Sequence, residues 1–345
     1  MATTELIDDA VTWRQTLARI PMAGADDVYF RPEYAALYPD GRPCCFQYED
    51  GDALFLLPLL LREIPGTPYF DFETPYGYGG PLSNCDDPSF IDQAWQNLRQ
   101  WCCRQHVVAG FLRFHPLLDN QRWTSSAVRV VADRETVVLT LGQDKEQVWA
   151  GYGSDTRNKI RKAEKNGAVV HKYSNMESLE KFSGLYAEHM HELSAYDDYF
   201  FGDEYFKSIH NLGQNSYAIY LVEHQGELMG GALVLLSQYF AHYHLSSSLR
   251  RFNPLAPNAL LRHAVTMDQL KSGRRMILYG GGRTNAADDS LLKFKAGFSP
   301  ERRSFHFGTF IGEQEAYTSL CERWRSENPA LAERFGSRFL CYRYR

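Results

Sequence analysis

Residues 291–298 read LLKFKAGF and set two ammonium groups, Lys293 and Lys295, among large apolar side chains. They follow the polar, glycine-rich run YGGGRTNAADDS at 279–290. A core segment would exclude the lysines, and a solvated turn would exclude the phenylalanines. Asp288, Asp289 and Ser290 are helix N-cap types and Gly297 is a stop, so LLKFKA reads as one to two helical turns. Leu291, Phe294 and Phe298, at i, i+3 and i+7, then share a face that buries against a sheet. Lys293 and Lys295, two positions apart, point in different directions. One faces solvent and the other sits at a cleft edge, where a fixed ammonium can stabilise negative charge developing on oxygen.

Other groups with chemical potential are spread along the chain. In SDTRNKIRKAEKNG (154–167), Arg157, Arg161 and Lys165 recur at i, i+4 and i+8, with Lys159 and Lys162 beside them. The stripe suits phosphates, Arg157 and Arg161 foremost; a solvated helix face has the same pattern. The loop PYGYGGPL (75–82) offers Tyr76 and Tyr78 as faces for a sugar or base, and glycines that let a ligand approach the backbone; a plain structural turn fits equally. Arg283 and Asn285 follow a strand end, where α/β sheets place ligand contacts. His242 and His244 lie on one face of a strand. No third ligand of suitable spacing accompanies them, so no metal site is expected. His244 offers a base or a packing residue. His189 and His191 sit on a helix and point apart. The segment YDDYFFGDEYF (196–206) reads as a cleft-lining turn, with Tyr199 and Phe200 as wall residues. Asn258, after Pro257, opens a helix whose free amides can receive an anion.

The elements that must position these groups form a repeated pattern. A chain of 345 residues, 44% hydrophobic and 14% aromatic, is long enough for two domains with large cores. A net charge of −5 argues against a general nucleic-acid coat and leaves room only for a local basic patch. The longest apolar run, ALFLLPLLL at 53–61, is broken by Pro58 and too short to span a bilayer. No cationic, then apolar, leader is visible at the start. Seven cysteines without zinc spacing read as reduced thiols of a cytoplasmic protein. Helix is expected near 7–19, strands at 44–49 and 53–64 around an Asp-Gly turn, a helix at 87–106, and strands near 108–114, 127–132 and 135–140. The second half repeats this: helices at 154–167 and 176–193, strands at 216–224, 228–238 and 239–248, a helix at 256–273, then strands at 274–280 and 304–312. A helix from 313 to about 326 and a short strand, RFLCYRY, close the chain. Hairpins followed by a crossover helix imply mixed sheets with flanking helices, in two α/β domains built alike.

This order of elements resembles the GNAT (acyl-CoA N-acyltransferase) fold. The segments SDTRNKIRKAEKNG, YDDYFFGDEYF, PNALL…SGRRMILYGGGR and FKAGF resemble those of the FemABX family, over roughly residues 40–312. The resemblance implies two GNAT-like domains, at 1–145 and 146–312, with a tail at 313–345 that packs back on the first. It implies transfer of an aminoacyl or acyl group onto an amine or hydroxyl of a cell-wall, polysaccharide or secondary-metabolite precursor. By the same resemblance Lys295, the lysine of the FK pair, lies near the transferred acyl group and is the catalytic candidate. No tightly bound cofactor is implied; the donor is aminoacyl-tRNA or acyl-CoA, with tRNA as a candidate partner and DNA as none. GNAT enzymes grip the CoA pyrophosphate with a glycine turn, but the matching stretch here, RRFNPLAPNALL (250–261), has prolines, which lack the amide donor. A CoA-dependent N-acyltransferase acting on an amino sugar or small amine is the alternative, and a catalytically inactive scaffold protein of a biosynthetic pathway is the third reading.

Overall fold

The computed structural model describes residues 2–142, 144–194 and 200–344. They fall into two units: residues up to 25 with 29–133 and 305–345, and residues 26–28 with 134–304. The division thus falls at 133/134 and 304/305, where the sequence suggests 145 and 312. The reason is that strands run through both points.

The first unit begins with β1 (Thr3–Ile7), α1 (Ala10–Leu17) and α2 (Pro32–Ala35). The helix expected near 7–19 is thus confined to Ala10–Leu17, with Ile7 the last residue of a strand; Asp9 starts α1 by accepting from the amides of Val11 and Thr12. β2 (Arg42–Asp50) and β3 (Ala53–Glu63) form the hairpin read from the sequence, with Asp50 opposite Ala53 and Gly51 at φ 60° in the turn. β4 (Phe70–Glu73) and the short β5 (Leu82–Ser83) both pair with β3. α3 (Pro88–Arg104) is capped by Asp87 and buries Phe90, Ile91, Ala94, Trp95 and Leu98, one helical face. It crosses over to β6 (Val107–Arg113), which runs parallel to β4. Phe72 faces Gly110, where an added Cβ would lie 2.0 Å from the ring, so only glycine fits. β7 (Val128–Thr140) is one strand where two are expected, and its residues from 134 on belong to the second unit.

The second unit repeats the scheme. α4 (Lys145–Gly151) and α5 (Ser154–Lys165) precede β8 (Val169–Tyr173), α6 (Met176–Leu193) and α7 (Asp203–Ile209). β9 (Tyr217–His224), β10 (Glu227–Leu236) and β11 (Phe240–Ser248) form an antiparallel meander, with β8 pairing β9. α8 (Pro257–Leu270) crosses over to β12 (Met276–Gly281), which runs parallel to β11 and antiparallel to β7. α9 (Ser290–Ala296) follows. Val137, Ile160, Val234, Leu261, Ile277 and Phe298, from six elements or their flanks, meet in one buried core. Hairpins before a parallel crossover make the strand pairing mixed in each unit.

The chain returns to the first unit through β13 (Arg302–Ile311), antiparallel to β6, then α10 (Gln314–Glu327) and α11 (Pro329–Phe335). RFLCYRY is a 3₁₀ turn at Cys341–Arg343, not a strand. Leu340 takes φ 54°, and Arg343 turns in to donate from Nε to Asp71 Oδ2 at 2.8 Å and from Nη1 to the Glu63 carbonyl at 2.8 Å. Asp71 is fully buried and also accepts from Arg62 Nε at 3.0 Å. No helix among the described residues is long and apolar enough to cross a membrane.

Candidate functional site

The loop from β12 to α9 is held by one side chain. Asp289 is the N-cap of α9: Oδ1 accepts from the amides of Leu291 and Leu292, both at 2.9 Å. Its Oδ2 accepts from the amides of Arg283 at 3.0 Å and Thr284 at 3.1 Å, and from the Thr284 hydroxyl. These donors hold the carboxyl down at about 2. Gly282 lies so close that a Cβ there would meet Oδ1 at 2.5 Å. Arg134 of β7 donates to the carbonyls of Gly282 and Arg283, both at 3.2 Å. At the other end of α9 the Gly297 carbonyl accepts from the Gly153 amide at 2.9 Å. A Cβ on Gly297 would approach Thr156 Oγ1 to 2.2 Å, so α9 is pressed against the start of α5.

On this short helix Lys293 is exposed, whereas Lys295 is half-buried. Lys295 Nζ donates to the Gly281 carbonyl at 2.6 Å, at the end of β12. Phe298 is buried, and it is Leu292 with Phe294, not Leu291, that packs on the core. Behind α9 lies Arg262 of α8, only 2% exposed. Its guanidinium carbon sits 4.3 Å from the Tyr243 ring centre, 5.0 Å from Phe294, 5.3 Å from Tyr279 and 5.4 Å from Phe298. Nε and Nη1 find no hydrogen-bond partner among the described residues. Burial pushes the Tyr243 and Tyr152 hydroxyls up to about 12. It pulls Lys295 down to about 7, and the neighbouring Arg262 adds to this; Asp289 opposes it and Arg134 reinforces it. The result is a lysine whose amine and ammonium forms are both populated near neutrality, beside a cation that cannot be neutralised by losing a proton.

The other nominated residues are placed differently. Arg157 donates from Nη1 to the carbonyls of Ala150, at 3.1 Å, and Tyr152, so it caps the end of α4 instead of facing solvent for phosphate. Arg161 is exposed and lies 5.3 Å over Trp149. Arg283 is exposed, and its backbone, not its side chain, makes the bonds to Asp289 and Arg134. His244 is bonded to the Tyr205 hydroxyl at 2.8 Å, and burial with His242 beside it drives its pKa down to about 3. The bond to Tyr205 fits the packing reading of this histidine. His242 contacts Asp27 at 2.7 Å, and Ser237 donates to the same carboxylate oxygen at 2.8 Å. Asn258 donates to Ser248 Oγ at 2.6 Å. In the first unit, Tyr76 is exposed and its carbonyl accepts from Tyr34. Tyr78 packs edge-on against Tyr29 at 5.4 Å and Phe305 at 5.6 Å. Tyr199 lies outside the described residues.

Residues 152–296 match the acetyltransferase (GNAT) domain family. No curated protein sequence matches the chain. Among solved structures, FemX superposes with a TM-score of 0.71 at 12% identity, covering 91% of this chain and 99% of FemX. The fold is that of a FemX-like tandem GNAT protein. L-PGS from Bacillus licheniformis shares this FemX-like fold with a TM-score of 0.55 at 13% identity, over 89% of this chain and 93% of that one. A tandem GNAT protein from the clavulanic acid biosynthesis pathway follows at 0.53 and 12%, over 90% and 99%. The GNAT match contains the whole of α5, α8 and β12, and it ends at the C-terminus of α9. The stretch that would carry a glycine turn in this GNAT domain is a 3₁₀ turn at Arg250–Leu255, followed by Ala256 at φ 54° and Pro257 at the first position of α8. It opens α8 without a glycine.

Sequence reading missed Arg262 and Arg134. Arg262 carried a usable signal: it precedes Val265, Thr266 and Gln269 at i+3, i+4 and i+7, all buried, and so occupies the core face of α8.

Proposed function

We propose that this FemX-like GNAT protein transfers an aminoacyl or acyl group from an activated ester or thioester to an amine or hydroxyl of a cell-wall, polysaccharide or secondary-metabolite precursor. The observation that carries the reading is Lys295, half-buried at the end of β12 and titrating near pH 7. Its amine form accepts the proton that the acceptor loses as its nitrogen or oxygen bonds to the carbonyl carbon. The resulting ammonium stabilises the negative charge on the tetrahedral oxygen. The bond from carbon to the donor oxygen or sulfur then breaks, the leaving atom takes the proton, and Lys295 returns to its amine form. A value near the working pH suits both halves of this cycle. No covalent intermediate is required, and orientation of the two substrates supplies much of the remaining acceleration.

Two donors fit this chemistry. Aminoacyl-tRNA is favoured by the FemX-like fold and by the prolines at 254 and 257, where a CoA-binding turn would place amides. Acyl-CoA is favoured by the GNAT family match. Isothermal titration with acetyl-CoA, on the native protein and on Lys295→Ala, separates them. A Kd at or below roughly 100 μM, about −5.5 kcal/mol, selects CoA. No heat at millimolar CoA, with labelled amino acid passing from charged tRNA to an amine acceptor, selects aminoacyl-tRNA. Transfer unchanged in Lys295→Ala overturns the assignment of the lysine, and absence of both activities favours a scaffold role.

A further inference from the structure

We propose that Arg262 is a positioning residue for this chemistry: a permanent cation sealed behind α9 that keeps the neighbouring Lys295 in its proton-accepting form. The inference rests on the role given to Lys295 above, and extends it to a residue that touches no substrate.

Three observations carry it. Arg262 is 2% exposed, and Nε and Nη1 lack hydrogen-bond partners among the described residues. No carboxylate forms an ion pair with it there; its surroundings are the faces of Tyr243, Tyr279, Phe294 and Phe298. Ring faces soften the cost of burying a guanidinium but do not cancel its charge, so its field reaches its neighbours with little screening. Finally, two of those rings, Phe294 and Phe298, flank Lys295 on the same segment, so the guanidinium lies against the inner side of α9.

A purely structural arginine would be better replaced by an apolar side chain of similar volume, since a buried unpaired charge costs several kcal/mol. What an apolar residue could not do is discourage a second positive charge next door. The groups facing Lys295 are the Gly281 carbonyl, Asp289 from the preceding loop, Arg134 from β7 and Arg262 from α8. Asp289 is the one carboxylate among them, and its oxygens are already engaged by backbone amides. Arg262 itself is faced by the hydroxyls of Tyr152, Tyr243 and Tyr279.

The test needs no substrate. Competitive labelling with acetic anhydride from pH 5 to 10, read by mass spectrometry of the peptide holding both lysines, gives each amine's midpoint in the folded protein. Exposed Lys293 serves as the internal reference. In Arg262→Met the Lys295 midpoint rises by at least about one pH unit, a roughly tenfold fall in the ratio of amine to ammonium at neutrality, while Lys293 does not move. Arg262→Lys, which keeps a cation, retains a lowered midpoint. A folded Arg262→Met protein with an unmoved Lys295 midpoint overturns the proposal. If Arg262→Met does not fold, the comparison moves to Lys295→Arg and Lys295→Gln. Two permanent cations side by side make the arginine variant the less stable at every pH, and equal stabilities overturn the inference. Neither result depends on the donor or acceptor, so a failure here is distinct from a failure of the proposed transfer.

Discussion

Replacing Lys295 with methionine removes a titrating group and keeps most of its packing volume, so its effect is a change in how stability depends on pH. The ordinary lysine value is 10.5, and Lys295 lies at about 7 in the folded chain. Between those values the unfolded chain holds the proton and the native chain does not, so native stability rises with pH across the window. Below pH 7 both forms are protonated and the native state carries the full cost of a buried ammonium; above 10.5 both are neutral and the cost is gone. At about 1.4 kcal/mol per pH unit the ceiling is about 5 kcal/mol. Lys295 is only half-buried, and solvent screening reduces this to about 2–4 kcal/mol. Urea unfolding of the native protein and Lys295→Met at pH 6, 7, 8, 9 and 10 gives the two stability curves. Titrating tyrosines and cysteines act on both proteins and cancel in the difference. Lys295→Met should exceed the native protein most below pH 7, with the gap closing toward pH 10. A constant offset from repacking does not alter that slope. Parallel curves over the range would refute the reasoning that Lys295 is held partly neutral.

Three other outcomes follow from particular contacts. Gly297→Ala drives a methyl into Thr156 Oγ1 and should cost about 1–3 kcal/mol. Thr156→Ala should recover most of that loss in the double variant, as measured by thermal unfolding. Asp71→Ala removes the buried carboxylate shared by Arg62 and Arg343, leaving them Glu73 and the Glu63 carbonyl, and should cost about 1.5–3 kcal/mol in denaturant unfolding. Arg157→Ala removes two bonds to the end of α4 and should cost about 1–2 kcal/mol of stability. It should not change the salt dependence of donor binding, whereas a phosphate-binding arginine would lower the salt slope by about one contact.

What the sequence made legible was governed by local rules. The cap at Asp289, the hairpin at Asp50–Ala53 and the divergence of Lys293 from Lys295 depend on spacings of two to four residues, and those spacings are printed in the chain. The aromatic box of Arg262 was hidden because Tyr243, Tyr279 and the Phe294–Phe298 pair reach it from three separate segments. The bonds of Arg157 were hidden for a related reason: its periodic companions read as a charged stripe, while its own guanidinium turns back to the preceding helix end. The tail alternates like a strand, yet the buried carboxylate of Asp71, far off in sequence, turns it into a 3₁₀ turn that delivers Arg343.

The first unit is assembled from stretches on either side of the second, and this has a consequence for how the chain is made. On the ribosome, residues 134–304 emerge before 305–345, so the second unit has all its strands while the first still lacks β13. Until then the Ala109–Arg113 edge of β6 is without the neighbour it later pairs with, and Asp71 without Arg343. An open strand edge invites wrong partners. Completion therefore runs against the direction of synthesis: the part translated first is the part completed last.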